Sequence, residues 1–189
     1  MFRELKSSLV LLLICVVLGC LVYPAAVLLT AHAIAPEAAK GSLLTSPDGT
    51  LVGSRLIAQS FTNDRYFWPR PSAVGYNGAA AGARSHTPTG AALRGEVATA
   101  YSNLAPTSTT TPVPSDLITA SGSGLAPDIT AYAARWQVPR VAKARGMDEG
   151  ELRCLVEGHV ERHPGLETVN VLELNLDIDQ TLARRGGRP

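Results

Sequence analysis

Ser123 stands between two glycines, the setting in which a serine can be raised on a tight turn as a nucleophile. The elbow pattern GxSxG, however, needs glycine at 121 and 125, where the chain has Ser121 and Leu125. Ser121-Gly122-Ser123-Gly124 therefore reads as a flexible turn. His159 and His163 are four apart and on a helix could share a metal, yet the zincin pattern wants a glutamate straight after the first histidine and Val160 follows. His86 is the one other histidine beyond residue 36, so no plausible Ser-His-Asp set assembles. None of the lysines, Lys6, Lys40 and Lys143, ends a phosphate-cradling GxxxxGK[ST] loop. The sequence gives no catalytic residue, no cofactor of its own and no metal site. A membrane-tethered extracytoplasmic hydrolase built on Ser123 and the histidine pair remains the rival reading.

Aromatic and arginine chemistry is more concentrated. Five of the ten aromatics, Phe61, Tyr66, Phe67, Trp68 and Tyr76, surround Trp68-Pro69-Arg70-Pro71, where two prolines force an extended backbone. Such a segment serves as a loop pinned to the core by its rings, or as an anchor for a protein partner, since Tyr, Trp and Arg dominate interface hot spots. Both roles are compatible.

These residues must be positioned by elements on one side of a membrane. Ser7 to Pro36 carries no formal charge, and the 21 mostly apolar residues from Leu9 to Leu29 span about 31 Å as a helix, the thickness of a bilayer core. Ala31-His32-Ala33 resembles a signal-peptide cleavage site and Val17-Leu18-Gly19-Cys20 a lipoprotein one. The apolar run is too long for the first and continues too far past Cys20 for the second. The reading is an uncleaved helix over 7–34, with Pro24 marking a kink or a packed neighbour. Arg3 and Lys6 precede it and only Lys40 follows within 18 residues of Pro36, which favours residues 1–6 in the cytoplasm and 35–189 outside. Residues 37–189 hold 15 of the 17 basic and 15 of the 16 acidic side chains, a balance that argues against nucleic acid. Cys154 is the one cysteine there, so no internal disulfide can form and the domain folds on its own core.

Within that domain Leu51 to Phe61, after the turn Ser46-Pro47-Asp48-Gly49, reads as a strand. Thr89 caps a helix with Leu93, Val97, Ala100, Tyr101 and Leu104 recurring at helical spacing. Residues 105–114 read as an extended surface loop. A second helix follows, capped by Asp128 with Ile129, Tyr132, Ala133 and Trp136 on one face, and ended by Pro139; a short one runs on to Arg145 and is closed by Gly146. Asp148 and Glu151 form a capping box and Met147 and Leu152 a staple for a helix with Leu152, Leu155, Val156 and Val160, stopped by Pro164-Gly165. Val169 to Ile178 alternates from Leu172 onward and reads as a strand with a bulge near Val171-Leu172. The expected fold is one N-terminal transmembrane helix followed by a small α+β extracytoplasmic domain.

Four strings carry a family resemblance: Gly53 to Gln59 with Tyr66 to Ala73, Val113 to Leu125, Gln137 to Gly146, and Val169 to Asn175. In this order behind one membrane helix, they resemble the C subunit of the potassium-transporting P-type ATPase, the Kdp complex. The resemblance marks Tyr66, Phe67, Trp68, Arg70, Pro71, Ser72, Thr119, Ser121, Gly122, Ser123, Gly124, Gln137, Arg140, Asn170 and Asn175 as partner-binding or structural motif residues. It departs at Ala81-Gly82-Ala83-Arg84-Ser85, where the family carries a Ser-Gly-Gly-Ser-Asn run, and at Ala126, where it carries aspartate. The resemblance implies a non-catalytic, single-pass subunit of the bacterial inner membrane, in contact with lipid, a channel-like subunit that conducts potassium and a P-type subunit that hydrolyses ATP. ATP and potassium are then handled by the complex, with this subunit holding the assembly together on the outer face and promoting ATP use.

Overall fold

The computed structural model describes residues 2–46, 48–104 and 111–186. The chain divides into two compact units, 1–43 and 44–189.

The first unit is dominated by helix α1, Phe2–Ile34, which has 33 residues, is long and apolar enough to cross a membrane, and has no buried residue. Pro24 has no N–H to donate, and its ring crowds the carbonyl four residues back. The helix answers by widening: Val17–Val22 is a π-helical turn, and the Tyr23 N–H reaches the Leu18 carbonyl. The disturbance expected at Pro24 thus takes the form of a π turn. A short helix α2, Pro36–Ala39, follows.

From Leu43 the chain forms a hairpin of β1 (Leu43–Thr45) and β2 (Leu51–Ser54). The tip is tied by Ser46 N–H to the Thr50 carbonyl (2.9 Å) and by Asp48 Oδ1 accepting from Thr50 N–H (3.1 Å); Pro47 lies outside the described residues. The strand expected to reach Phe61 stops at Ser54 because Gln59 folds back, its Nε2 donating to the Val52 carbonyl at 2.8 Å. Gly53 leaves room for that amide: a Cβ there would lie 1.7 Å from the Gln59 nitrogen and displace it.

Helix α3, Ala91–Leu104, forms where expected. Its start is held by Gly90 rather than Thr89: the Gly90 carbonyl accepts from Arg94 N–H, and Thr89 offers its carbonyl to the Arg94 side chain. Leu104 is buried while Tyr101 faces out. Residues 105–110 of the expected surface loop lie outside the described residues. After the short helix α4, Ser115–Ile118, comes β3, Asp128–Thr130.

Asp128 is therefore a strand residue, and Thr130 caps the next helix, its Oγ1 accepting from Ala133 N–H at 3.2 Å. This helix, α5 (Ala131–Arg145), runs through Pro139 instead of ending there. A proline inside a helix costs about 3 kcal/mol. Burial of Val138, Val141 and Ala142 on both sides of an exposed Pro139 offsets it, and Gly146 closes the helix at φ +65°. Helix α6, Glu149–Gly158, has the expected cap, Asp148 Oδ2 accepting from Glu151 N–H at 3.0 Å. The Glu151 carboxylate pairs with Arg185 instead of completing the box.

Val160 does not extend α6 but begins β4 (Val160–His163), and Pro164-Gly165 turns that strand into β5 (Leu166–Asn170). The sheet is antiparallel in the order β3-β5-β4, with Ile129 and Val160 each opposite Val169. The largest correction follows. Val171–Gly186 is a helix, α7, and the expected strand over 169–178 ends at Asn170. Asn170 is its N-cap, Oδ1 accepting from Glu173 N–H at 3.2 Å. Buried Val171, Leu174, Asn175 and Ile178 recur at i, i+3, i+4 and i+7. Leu172, Leu174, Leu176 and Ile178 also alternate, which imitates a strand, and the polar Asn175 on the inner face hides the helical stripe. The core is built from Ile129 and Val169 of the sheet with Val138, Leu152, Val156 and Leu174 of α5, α6 and α7.

Candidate partner-binding site

The proline-stiffened segment runs against α5 and α7, and side chains meet the backbone groups of Phe67 and Trp68. Phe67 is fully buried. Its N–H donates to Asn175 Oδ1 (2.8 Å) and its carbonyl accepts from Asn175 Nδ2 (3.0 Å). The next residue is bracketed the same way: Trp68 N–H donates to Gln137 Oε1 (2.8 Å), and its carbonyl accepts from Gln137 Nε2 (3.1 Å). Two buried amides thus replace the neighbouring strand that the segment lacks.

One turn beyond Gln137 on α5, Arg140 extends the grip. Its guanidinium donates to Gln137 Oε1 (2.7 Å) and to the carbonyls of Asp64 (2.8 Å) and Tyr66 (3.0 Å), and it lies over the Trp68 ring at 4.1 Å. Burial pulls its pKa down to about 10, against the opposing pull of Asp64. Arg145, at the end of α5, donates to the Arg65 carbonyl and to Asp179 Oδ1, and lies over the Tyr66 ring at 4.8 Å. Tyr66 closes the set through its hydroxyl to Asp179 Oδ2 (3.2 Å).

A second cluster joins Arg70, Pro71 and Ser72 to the serine-glycine loop. Arg70 Nη2 donates to Thr119 Oγ1 and the Ala120 carbonyl, both at 3.3 Å, while the Arg70 carbonyl accepts from Tyr76 Oη at 3.0 Å. The Pro71 carbonyl accepts from Ser121 N–H (3.3 Å). Ser72 Oγ donates to the Gly124 carbonyl (2.6 Å) and accepts from Tyr76 N–H (2.9 Å). Gly124, at φ +71°, has no room for a side chain: a Cβ there would meet the Gly82 carbonyl oxygen and Val74 at 2.9 Å. Burial pushes the Tyr76 phenol up.

The fifteen residues marked from the sequence thus fall into three places. Tyr66, Phe67, Trp68, Gln137, Arg140 and Asn175 form the clamp, and Arg70, Pro71, Ser72, Thr119 and Ser121 to Gly124 form the loop cluster. Asn170 belongs elsewhere: besides capping α7 it donates to the Arg55 carbonyl (2.9 Å) and to Asp128 Oδ1 (3.1 Å). Tyr76, read from the sequence among the aromatics that pin this segment, also holds the site. Arg145 and Asp179 hold it too and were missed: Arg145 was legible only as a helix end, and no local spacing pointed to Asp179.

The rival constellation does not come together. Ser123 is exposed, and its Oγ accepts from Leu125 N–H (3.1 Å). His159 bonds the Leu155 carbonyl through Nδ1 (3.0 Å) just past the end of α6, and His163 lies in β4 near Glu161 (3.7 Å), so the two do not share a helix face. Among the described residues no group of His, Cys, Asp and Glu could hold a metal ion.

Comparison with known proteins gives the same direction throughout. Residues 5–180 match the family model described as "KdpC: K+-transporting ATPase, c chain". Proteins named potassium-transporting ATPase KdpC subunit are similar over nearly their whole length. The one from Geotalea uraniireducens is 44% identical over 185 residues, covering 94% of this chain and 98% of the relative. That of Geobacter metallireducens is 43% identical with the same coverage, and that of Methylobacterium nodulans 43% over 95% and 98%.

Proposed function

The chain belongs to the KdpC family, the c chain of the K+-transporting ATPase, and from that premise we propose that it is a non-catalytic assembly and regulatory subunit of the potassium import complex. The observation that carries this reading is the clamp. Asn175, Gln137 and Arg140 fix the aromatic segment and Thr119 and Ala120 hold Arg70, so Trp68 and Arg70 stand on a rigid support, as a docking element requires. The partners are the channel-like subunit and the P-type ATPase subunit. Arg3 and Lys6, in the first turns of α1 ahead of its apolar run, support a single-pass topology with the N-terminus in the cytoplasm and the α+β domain outside.

Topology also sets how the subunit promotes ATP use. The bulk of the chain lies across the membrane from cytoplasmic ATP, and the residues before the apolar run are too few to build a nucleotide site. Its effect is therefore linkage: binding outside favours one state of the pump and shifts nucleotide affinity from there. Copurification from native membranes tests the assignment. A tag on this chain should recover a potassium channel-like protein and a P-type ATPase; recovery of the chain alone at every detergent mildness would overturn it. Ser123→Ala, His159→Ala and His163→Ala should leave transport intact, whereas a hydrolase would lose its activity.

A further inference from the structure

Residues 82–90, Gly-Ala-Arg-Ser-His-Thr-Pro-Thr-Gly, contain no large apolar side chain, so nothing hydrophobic anchors them to the core. At one end the Gly82 N–H donates to the Ser123 carbonyl (2.9 Å); at the other, Thr89 and Gly90 are tied to Arg94. Between these points the polar attachments to the rest of the domain, among the described residues, converge on one carboxylate. Glu96 Oε1 on α3 accepts from Arg84 Nη1 and lies 3.0 Å from His86 Nε2. These three side chains are between 30% and 43% exposed, and ion pairs that open to water hold weakly.

What the segment covers gives it meaning. Ala83, Arg84 and His86 wall a cavity of about 130 Å³ whose other lining includes Leu93, Ile118 and Ser121. A groove of about 570 Å³ runs beside it along Ala92, Gly95 and Thr99 of α3. Arg84, Glu96, Ile118 and Ala120 line both spaces. The Arg84–Glu96 contact is thus part of the partition between them, and its position is set by where the segment lies.

We propose that residues 83–89 form a releasable strap, locked by Glu96, whose opening joins the cavity to the groove. The lock holds because a single carboxylate serves two donors of the strap. It releases as a unit, since the strap has no large apolar side chain to keep it seated once Glu96 is lost. Local openings of this kind belong to the low end of a domain's stability range.

Trypsin reads the lock, because the Arg84 side chain must leave Glu96 to enter the protease's specificity pocket before the bond after it is cut. In the purified full-length subunit, cleavage after Arg84 should be slow, and at least tenfold faster in Glu96→Gln, while cleavage after Lys40 stays unchanged as an internal control. His86→Gln leaves the carboxylate and Arg84 in place and should give a smaller increase. A spin label at Ser85→Cys, in a background without the native cysteines, should shift from restricted to mobile in Glu96→Gln. Equal cleavage after Arg84 in wild type and Glu96→Gln, or a label equally mobile in both, overturns the proposal.

Discussion

At the scale of the residue, the amides of Asn175 and Gln137 are the most consequential groups in the domain. Each satisfies one N–H and one carbonyl on a segment that has no strand neighbour. Truncation of Asn175 to alanine leaves both backbone groups of a buried Phe67 without partners. At about 1–3 kcal/mol for an unsatisfied buried group, Asn175→Ala should lower unfolding free energy by about 2–4 kcal/mol in denaturant titrations. Retention of full stability would mean that water enters and replaces the amide. Arg70→Ala removes donors to Thr119 and Ala120 and should cost about 1–2 kcal/mol of stability. It should also weaken recovery of the partner subunits; a variant that folds and assembles as wild type would remove Arg70 from the docking surface. Little of this was legible in the chain. The two amides lie 69 and 108 residues from the backbone they bracket, and no periodicity or spacing rule reaches across such separations. The family resemblance drew attention to Gln137 and Asn175, but only the fold shows that they act on consecutive residues.

At the scale of the element, the caps at Asp148 and Gly146 and the helix over 91–104 were legible because each depends on residues within one turn, while the caps expected at Thr89 and Asp128 fall at Gly90 and Thr130. Two of the failures have tertiary causes. Pro139 sits in a helix because buried residues flank it, and β2 ends early because Gln59 returns to it. The start of α7 carried a usable signal, Asn170 followed by Glu173, which is the spacing of a capping box. Asn170→Ala should therefore destabilise the domain by about 1 kcal/mol from the cap alone, seen as a lower Tm with unchanged helix content by circular dichroism. Charge pairs between elements give a pH signature. Arg135 on α5 donates to both oxygens of Glu157 on α6 (2.6 and 2.8 Å), holding that carboxyl below the usual glutamate range. A depressed folded pKa contributes stability above the unfolded value, ~4.3, and loses it as pH falls through the folded one. Arg135→Gln should accordingly flatten the acid limb of the stability profile below about pH 4.3. Asp128, pushed up by burial, acts with the opposite sign: its ionised form opposes folding, so its burden eases as pH falls. An acid limb unchanged by Arg135→Gln would show that the pair is open in solution.

At the scale of the whole molecule, a membrane-length helix precedes a domain with its own packed core, and under the function proposed above what this subunit contributes is binding. Retention of α1 is the first thing to check. Intact-mass measurement should give a chain that keeps residues 2–34, and a mature protein beginning at Cys20 or Ile34 would exclude a spanning helix. If α1 is retained with its N-terminus inside, the subunit reaches ATP only through the conformational equilibrium of its partners. Coupling free energies between distant sites are typically about 1–3 kcal/mol, or roughly 5- to 150-fold in affinity. Linkage also runs both ways: if this subunit tightens ATP binding by some factor, ATP must tighten its binding by the same factor. The full complex should therefore lose apparent ATP affinity by a factor in that range when the subunit is absent. Saturating nucleotide should slow the subunit's dissociation, and the subunit purified alone should show no saturable binding at millimolar ATP. Weakening the clamp with Asn175→Ala should reduce both effects in proportion, because both pass through the same docked state. ATP bound by the isolated subunit, at a site that mutation can remove, would replace linkage with direct contact and reverse the topological argument with it.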